Sequence, residues 1–213
     1  VMNDNSRTSA GAATPRSATP ESATPEPVTA AGETESAAPS PGEARSKARL
    51  DFNVAIRREG EGFRIEYSVT NRGATPVLLV NRGDTSFGLG PGRVYVEPQP
   101  DGTIHFTQRG YLLPPGQGPG PTAAIYPGVS ELAPGQTGRE ILKVAAPKAR
   151  QHPYARYYPQ QPVPDPPRRV RFCLGVVTAT DAQTKTTRGT RVLNSLPAVA
   201  AQELLCSEPQ ELD

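Results

Sequence analysis

The chain has 213 residues, a formal net charge of +2 and only 6% aromatic residues, with no Trp. Positions 1–48 hold 4 basic and 6 acidic residues, which leaves 19 basic and 15 acidic residues, a net charge of +4, in the remainder. This density of positive charge is too low for a dedicated nucleic-acid-binding protein. Because no run of about eighteen apolar residues occurs, the sequence predicts no transmembrane helix.

The first 48 residues have the composition of a disordered linker. They are rich in Ala, Pro, Ser, Thr, Gly and Glu, and they contain the tetrapeptide Ser-Ala-Thr-Pro at 17–20 and again at 22–25. Such a segment buries too little apolar surface to offset the entropy of ordering it, about 1–2 kcal/mol per residue for the backbone. We therefore predict a disordered Pro/Ala/Ser/Thr-rich tether over residues 1–48 and one folded domain over residues 49–213.

Alternating apolar residues predict β-strands at the start of the domain. Leu50–Arg57 and Phe63–Thr70 carry apolar residues at every second position, and Glu59–Gly62 has the composition of a hairpin turn between them. Val77–Val80 is apolar at every position, which is typical of a short strand buried on both faces.

The rest of the domain continues this pattern. Further strands are predicted at Arg93–Glu97, Thr103–Gln108, Thr137–Val144, Arg169–Val177 and Thr190–Asn194. Thr178–Thr187 is predicted as a loop, and Ala198–Leu205 as either a short helix or a final strand. Short strands with turns between them, and no long helical period, predict an all-β domain, an antiparallel β-sandwich with long Pro/Gly-rich loops.

The two cysteines, Cys173 and Cys206, have no metal-site spacing. We expect them to form a disulfide, and hence an exported protein of the periplasm or cell surface; the alternative is a pair of free thiols in a cytosolic protein. Strand parity turns Cys173 away from the core, so the bond would hold the C-terminal segment over the outer face of the sheet. An export signal before Val1, with or without a lipid anchor for membrane association, is part of this expectation.

Turn motifs give the domain a resemblance to a known group of folds. These are the Asn-x-Gly turn Asn71–Gly73 after the strand Phe63–Thr70, the run Pro76–Leu79, and the Leu-x-Pro-Gly turn that begins at Leu132. In these features the chain resembles bacterial immunoglobulin-like and fibronectin-like β-sandwich modules, and less closely the proteinase-inhibitor-like sandwiches of bacteria. The resemblance covers about Phe52–Val144 and implies an immunoglobulin-like sandwich, but it carries over no binding residues.

The sequence does not predict an enzyme, a metal site or a cofactor. The two histidines, His105 and His152, lie in different segments without a partner motif, and His105 is expected to be a solvated residue on the polar side of its strand. The glycine-rich stretch 88–92 precedes a strand rather than the helix that a phosphate-binding loop requires. Arg82–Asp84 is the Arg-Gly-Asp tripeptide of adhesion ligands, a match too short to carry weight alone.

Two long loops hold the candidate binding residues. Gly110–Gly128 contains five Gly and five Pro, and Pro147–Arg171 combines Tyr and Arg residues against one acidic residue, Asp165. Tyr and Arg are the side chains that dominate binding hot spots, and proline reduces the entropy lost on binding. The predicted binding residues are Tyr111, Tyr126, Arg150, Tyr154, Arg156, Tyr157 and Tyr158. In the alternative interpretation the Tyr rings cap the sandwich and the Arg residues keep the loop soluble.

These features predict a non-enzymatic, exported bacterial binding module. Its partner is expected to be a protein or an anionic component of the cell envelope, recognised through the loops, and not a nucleic acid. One alternative is a structural subunit of an envelope or secretion assembly that pairs through exposed sheet edges. Another is a proteinase inhibitor that presents the loop Gly110–Gly128.

Overall fold

The computed structural model describes residues 49–84, 91–114, 116, 126–180 and 182–212. The predicted tether over residues 1–48 and most of the predicted loop Gly110–Gly128 lie outside these residues. The described chain is mostly β-strand, in several sheets, with one short α-helix and one 3-10 turn. The prediction of an all-β domain is confirmed.

Twelve strands occur within the described residues, and we number them in chain order. They are β1 Leu50–Glu59, β2 Gly62–Asn71, β3 Val77–Leu79, β4 Tyr95–Pro98, β5 Ile104–Gln108, β6 Ser130–Leu132, β7 Thr137–Val144, β8 Arg169–Thr178, β9 Thr184–Thr187, β10 Thr190–Leu193, β11 Glu203–Cys206 and β12 Gln210–Glu211. The 3-10 turn covers Ala155–Tyr157, and the helix α1 covers Leu196–Ala200. Every predicted strand is present, with its ends displaced by at most two residues.

The prediction of a loop over Thr178–Thr187 is wrong, because β9 occupies its last four residues and pairs with β10. Thr187 lies opposite Thr190, which leaves Arg188 and Gly189 as a two-residue turn with φ angles of 49° and 78°. Two positive φ angles match the twist of a tight hairpin. The strand escaped prediction because its residues Thr-Lys-Thr-Thr show no apolar alternation.

The first sheet, sheet A, has the strand order β1-β2-β7 and is antiparallel throughout. Alternation along β2 buries Phe63, Ile65, Tyr67 and Val69 on one face, each no more than 4% exposed. The opposite face is polar, and Glu66 there forms ion pairs with Arg57 and Arg64. The polar residues of β2 thus leave sheet A with one solvated face.

The second sheet, sheet B, has the order β4-β5-β8-β3-β6, with β11 and β12 also paired to β8. Leu174 of β8 lies between Gln108 of β5 and Leu205 of β11, so these strands occupy opposite edges of β8. The pairing of β5 with β8 is parallel, and the prediction of a purely antiparallel sandwich is wrong at this point. The long connection over residues 109–168 makes a parallel arrangement possible.

Sheets A and B share one hydrophobic core. The ring centroids of Tyr67 and Phe172 lie 5.0 Å apart, and those of Phe63 and Phe106 lie 5.2 Å apart. Full burial of an aromatic or aliphatic side chain contributes about 1.5–3 kcal/mol. The contact between the sheets therefore contributes substantially to stability.

A second, smaller core covers part of the other face of sheet B. Leu78 and Val177 point away from sheet A and pack with Leu193 of β10 and Val199 of α1. The run Val77–Val80 is consequently buried on both faces, with no residue more than 3% exposed. This confirms the prediction made from its continuous apolar character.

The C-terminal segment contains a helix followed by a strand, so both interpretations of Ala198–Leu205 apply in part. The Ser195 hydroxyl accepts a hydrogen bond from the backbone N–H of Ala198 and caps α1. Cys206 of β11 lies directly opposite Cys173 of β8, and the two form the predicted disulfide. The bond joins neighbouring strands on the outer face of sheet B. We expected the C-terminal segment to lie over this face, but β11 instead pairs with β8 and extends the sheet.

Candidate functional site

The second predicted binding loop, Pro147–Arg171, is fastened to the free edge of β4. The backbone N–H groups of Gln151 and Val96 each donate to the carbonyl of the other residue at 2.9 Å. The guanidinium of Arg150 donates to the carbonyl oxygen of Pro98 at 3.2 Å. The loop is therefore held in a defined position by main-chain and side-chain bonds.

Six rings from the loop and the adjacent strands form an aromatic cluster on the outer face of sheet B. The imidazole of His152 stacks on Tyr111 with a centroid distance of 4.6 Å and an interplanar angle of 1°. Tyr158 meets the other side of His152 edge-on at 4.8 Å, and Tyr95 meets Tyr111 edge-on at 5.1 Å. The members of this aromatic cluster are Tyr95, Tyr111, His152, Tyr154, Tyr157 and Tyr158.

At the base of the aromatic cluster, Tyr111 is bonded to a carboxylate. Its hydroxyl donates to Glu97, and the hydroxyl of Thr107 lies 2.7 Å from the same phenol oxygen and 3.3 Å from the Glu97 carboxylate. Burial, and then the charge of Glu97, raises the pKa of Tyr111 well above its usual range. The phenol consequently keeps its proton and donates it in the hydrogen bond to Glu97.

His152 is also kept in its neutral form. Burial first, and then the charges of Arg150 and Arg109, lowers the pKa of His152 to about 4, although Glu97 acts in the opposite direction. Its Nδ1 atom accepts a hydrogen bond from the backbone N–H of Tyr154 at 3.2 Å. A neutral, stacked imidazole with an engaged Nδ1 is suited to packing.

The predicted binding residues separate by exposure. Tyr111 and Tyr154 are 5% and 6% exposed and belong to the packed part of the aromatic cluster, as the capping interpretation requires. Tyr157 and Tyr158 are half-buried, and so is Arg150, whereas Arg156 is exposed with its guanidinium 4.6 Å above the Tyr157 ring. Tyr126 does not belong to the aromatic cluster; the Lys185 ammonium lies 4.5 Å above its ring.

The same loop carries unmatched positive charge. Among the described residues, no carboxylate forms an ion pair with Lys148, Arg150, Arg156 or Arg168, which we call the basic loop surface. Arg169 differs, since it approaches Asp101 at 3.8 Å and Glu211 at 3.4 Å. Two of these cations lie against the aromatic cluster, Arg150 over Tyr158 at 5.6 Å and Arg156 over Tyr157, and the loop as a whole carries an excess of positive charge.

Sequence reasoning missed a second polar site, the open cleft between the edge strands β6 and β7. The Tyr67 hydroxyl donates to Glu140 at 2.5 Å, and Arg82 pairs with the same carboxylate at 3.2 Å. Burial, followed by the charge of Glu140, raises the pKa of Tyr67. The cleft has a volume of about 380 Å³ and is also lined by Asn81 and Ser130. Its one sequence signal is the Tyr hydroxyl at an otherwise apolar position of β2.

The expectation that His105 is a solvated residue is met only in part. Its neighbours on the polar side of β5, Thr103 and Thr107, are 1% and 2% exposed. His105 itself is half-buried, and burial, followed by the charge of Arg171, lowers its pKa. Part of this cover comes from the aromatic cluster, since the Tyr111 hydroxyl lies 2.7 Å from that of Thr107.

The Arg-Gly-Asp tripeptide is not presented as an adhesion ligand would be. Asp84 is only 1% exposed, and its backbone forms a bridge with Pro127. Arg82 is committed to Glu140 in the open cleft. An adhesion motif needs an accessible carboxylate, so the burial of Asp84 argues against that function.

No group of three or more His, Cys, Asp or Glu side chains within the described part of the chain is placed to hold a metal ion. In the same ranges, no helix has the length and apolar character needed to cross a membrane. The chain matches no protein-family model, no curated protein and no solved structure.

Proposed function

We propose that the domain is a non-enzymatic binding module that recognises an anionic partner, a protein or a component of the cell envelope, through the basic loop surface. The observation that carries this proposal is a set of cations without ion-pair partners, Lys148, Arg150, Arg156 and Arg168, on a loop fastened to the edge of a sheet. Positive charge that no carboxylate of the same protein neutralises attracts anionic ligands over a distance of about a Debye length.

The way in which the loop is held supports recognition by a preformed surface. Because Tyr111, His152 and Tyr154 are buried, the exposed Arg156 and the half-buried Tyr157 project from a rigid base. Binding through such a surface loses less conformational entropy than binding through a disordered loop. Tyr and Arg are also the residue types most enriched in binding hot spots.

We also propose that the fold is an immunoglobulin-like sandwich and that the protein is exported. Two sheets with a common core and short connections between most strands are compatible with an immunoglobulin-like sandwich. The Cys173–Cys206 disulfide indicates an oxidising compartment. We assign the protein to the exported class, in the periplasm or at the cell surface.

Lipopolysaccharide micelles provide a probe for the binding function. The variant Lys148→Gln/Arg156→Gln/Arg168→Gln removes three of the unmatched charges and should weaken micelle binding about tenfold at low ionic strength, with less effect in high salt. Neutral phosphatidylcholine vesicles should not bind. Isothermal calorimetry measures both interactions.

A matched control carries the same loss of charge elsewhere. The variant Arg57→Gln/Arg64→Gln/Arg72→Gln alters the solvated face of sheet A, where all three cations already have acidic partners. It should bind the micelles like the unmodified protein. Equal weakening in both variants, or no weakening in the loop variant, would refute a specific role of the basic loop surface.

A further inference from the structure

Strand β7 is an unusually accessible sheet edge. It pairs with β2 on one side, and no other described strand pairs with its outer side. Its eight residues, Thr137–Val144, extend over about 26 Å. An edge strand of this length presents a row of backbone N–H and C=O groups that an added strand can bind.

The opposite edge of sheet A is protected. There the side-chain amide of Gln210 accepts from the Ile56 N–H at 3.1 Å and donates to the Val54 carbonyl at 3.3 Å. One side chain therefore forms the backbone hydrogen bonds in the middle of β1 that a neighbouring strand would otherwise form. No such side-chain bond to the backbone of β7 occurs among the described residues, which makes β7 the available edge.

Along β7, the solvated face of sheet A has a specific pattern of side chains. Ile141 is 57% exposed and stands between Arg139 and Lys143, both of which are also exposed. The Lys143 ammonium lies 3.3 Å from the exposed carboxylate of Glu59, and Arg139 forms no ion pair with a described residue. An added strand would match this pattern with an apolar residue flanked by two acidic ones.

The inner side of an added strand would face the open cleft. This space of about 380 Å³ lies between β7 and β6 and contains the Arg82 guanidinium, which is 40% exposed. Alternate residues of an added strand would point into the cleft. Small polar side chains fit there, because Tyr67 and Asn81 supply hydrogen-bonding groups at its wall.

A second copy of the chain is a poor occupant of this edge. Two-fold antiparallel pairing centred on Ile141 would set Arg139 opposite Lys143 of the other copy. Pairing centred on Glu140 would set two carboxylates opposite each other. Like charges directly across a sheet are destabilising, so the charges of β7 disfavour self-association.

We propose that β7 is a docking edge for an extended acidic peptide of a partner protein, which joins sheet A as a fourth strand. The peptide carries acidic residues opposite Arg139 and Lys143, an apolar residue beside Ile141 and small polar residues toward the cleft. The pattern reads the same in both directions, so it is compatible with parallel or antiparallel addition. This surface is separate from the basic loop surface.

Two capped synthetic peptides of identical composition test the proposal with the full chain. In Thr-Glu-Thr-Val-Thr-Glu-Thr the acidic and apolar side chains share one face, whereas in Thr-Thr-Glu-Val-Glu-Thr-Thr they lie on opposite faces. The first peptide should bind about tenfold more tightly than the second. Amide shifts in NMR spectra should concentrate on Thr137–Val144.

Charge reversal supplies the matched variants. Arg139→Glu/Lys143→Glu should lose the acidic peptide and bind Thr-Lys-Thr-Val-Thr-Lys-Thr instead, while Arg57→Glu/Arg72→Glu on the same face of sheet A should behave like the unmodified protein. Equal affinity for the two acidic peptides, unchanged affinity after reversal at β7, or shifts on the basic loop surface would each overturn the proposal. Concentration-dependent dimerisation that Ile141→Lys abolishes would overturn it in favour of a second copy.

Discussion

Tyr67 and Tyr111 form similar interactions in two different surroundings. They are 4% and 5% exposed, and each donates its hydroxyl hydrogen to a glutamate, Glu140 and Glu97 respectively. The first pair borders an open cleft, and its carboxylate has an ion-pair partner in Arg82. Among the described residues, the second carboxylate has no ion pair, and it lies at the base of the aromatic cluster.

The difference shows what a buried Tyr–Glu pair contributes in each setting. Glu140 keeps a charged partner and access to water when its tyrosine is altered, so the pair at the cleft is available for ligand interactions. The Glu97 carboxylate accepts its hydrogen bonds from the hydroxyls of Thr107 and Tyr111 beneath the stacked rings. The Tyr111–Glu97 pair therefore helps to hold the aromatic cluster on sheet B. The two pairs have the same residue types, so the packing above each pair determines whether it is structural or accessible to a ligand.

The largest effect is expected from the disulfide, which borders the covered pair. Thr107, which contacts both Tyr111 and Glu97, lies opposite Cys173 in the sheet. The double variant Cys173→Ala/Cys206→Ala opens a loop of 33 residues and should lower the free energy of unfolding by about 3–4 kcal/mol. Urea denaturation measures the loss, and a value below about 1 kcal/mol would contradict the assigned role.

Tyr111→Phe should be the most costly of the conservative changes. Among the described residues it leaves the Glu97 carboxylate with only Thr107 as a hydroxyl donor, at a cost of about 2–3 kcal/mol in the free energy of unfolding. The ring and its stacking on His152 are retained. A cost equal to that of Tyr67→Phe would show that coverage does not distinguish the two pairs.

His152 should make the stability of the covered site pH-dependent. Its pKa of about 4 in the folded protein lies below the usual value of 6.5, so the unfolded chain binds more protons between these values. Stability should therefore fall as the pH is lowered from 6.5 to 4, by about 2 kcal/mol after allowance for partial solvent access.

Replacement of His152 should flatten this pH dependence. His152→Phe retains an aromatic ring beside Tyr111 and removes the titrating group, so the curve of unfolding free energy against pH should lose most of its slope above pH 4. His105→Gln is the matched control at a half-buried histidine and should change the slope less. An unchanged slope in the His152 variant would exclude this residue as the cause.

The smallest effect is expected at the open cleft. Tyr67→Phe removes the hydroxyl from Glu140, but the ion pair with Arg82 remains and water can enter, so the cost should be about 1 kcal/mol. Thermal unfolding of Tyr67→Phe beside Tyr111→Phe gives the comparison under one set of conditions. A loss above about 3 kcal/mol would place the cleft pair in the same class as the covered one.

Strands whose apolar residues alternate or run continuously could be predicted from the sequence. Burial on one face of β2 and on both faces of Val77–Val80 follows directly from their residue pattern, because a strand has a side-chain period of two. The pairing of Cys173 with Cys206 was also accessible, since they are the chain's only cysteines. The polar strand β9 could not be predicted, because its residues show no apolar alternation.

Which polar residues are buried and which stay accessible depends on contacts between segments that are distant in the sequence. The sequence grouped Tyr111, Tyr154, Arg156 and Tyr157 as one binding set, but contacts between the two loops bury Tyr111 and Tyr154, whereas Tyr157 is half-buried and Arg156 is exposed. The parallel pairing of β5 with β8 and the cleft beside β7 likewise join segments far apart in the chain. Local residue patterns fix how a strand presents its two faces, whereas contacts between distant segments determine what lies against each face.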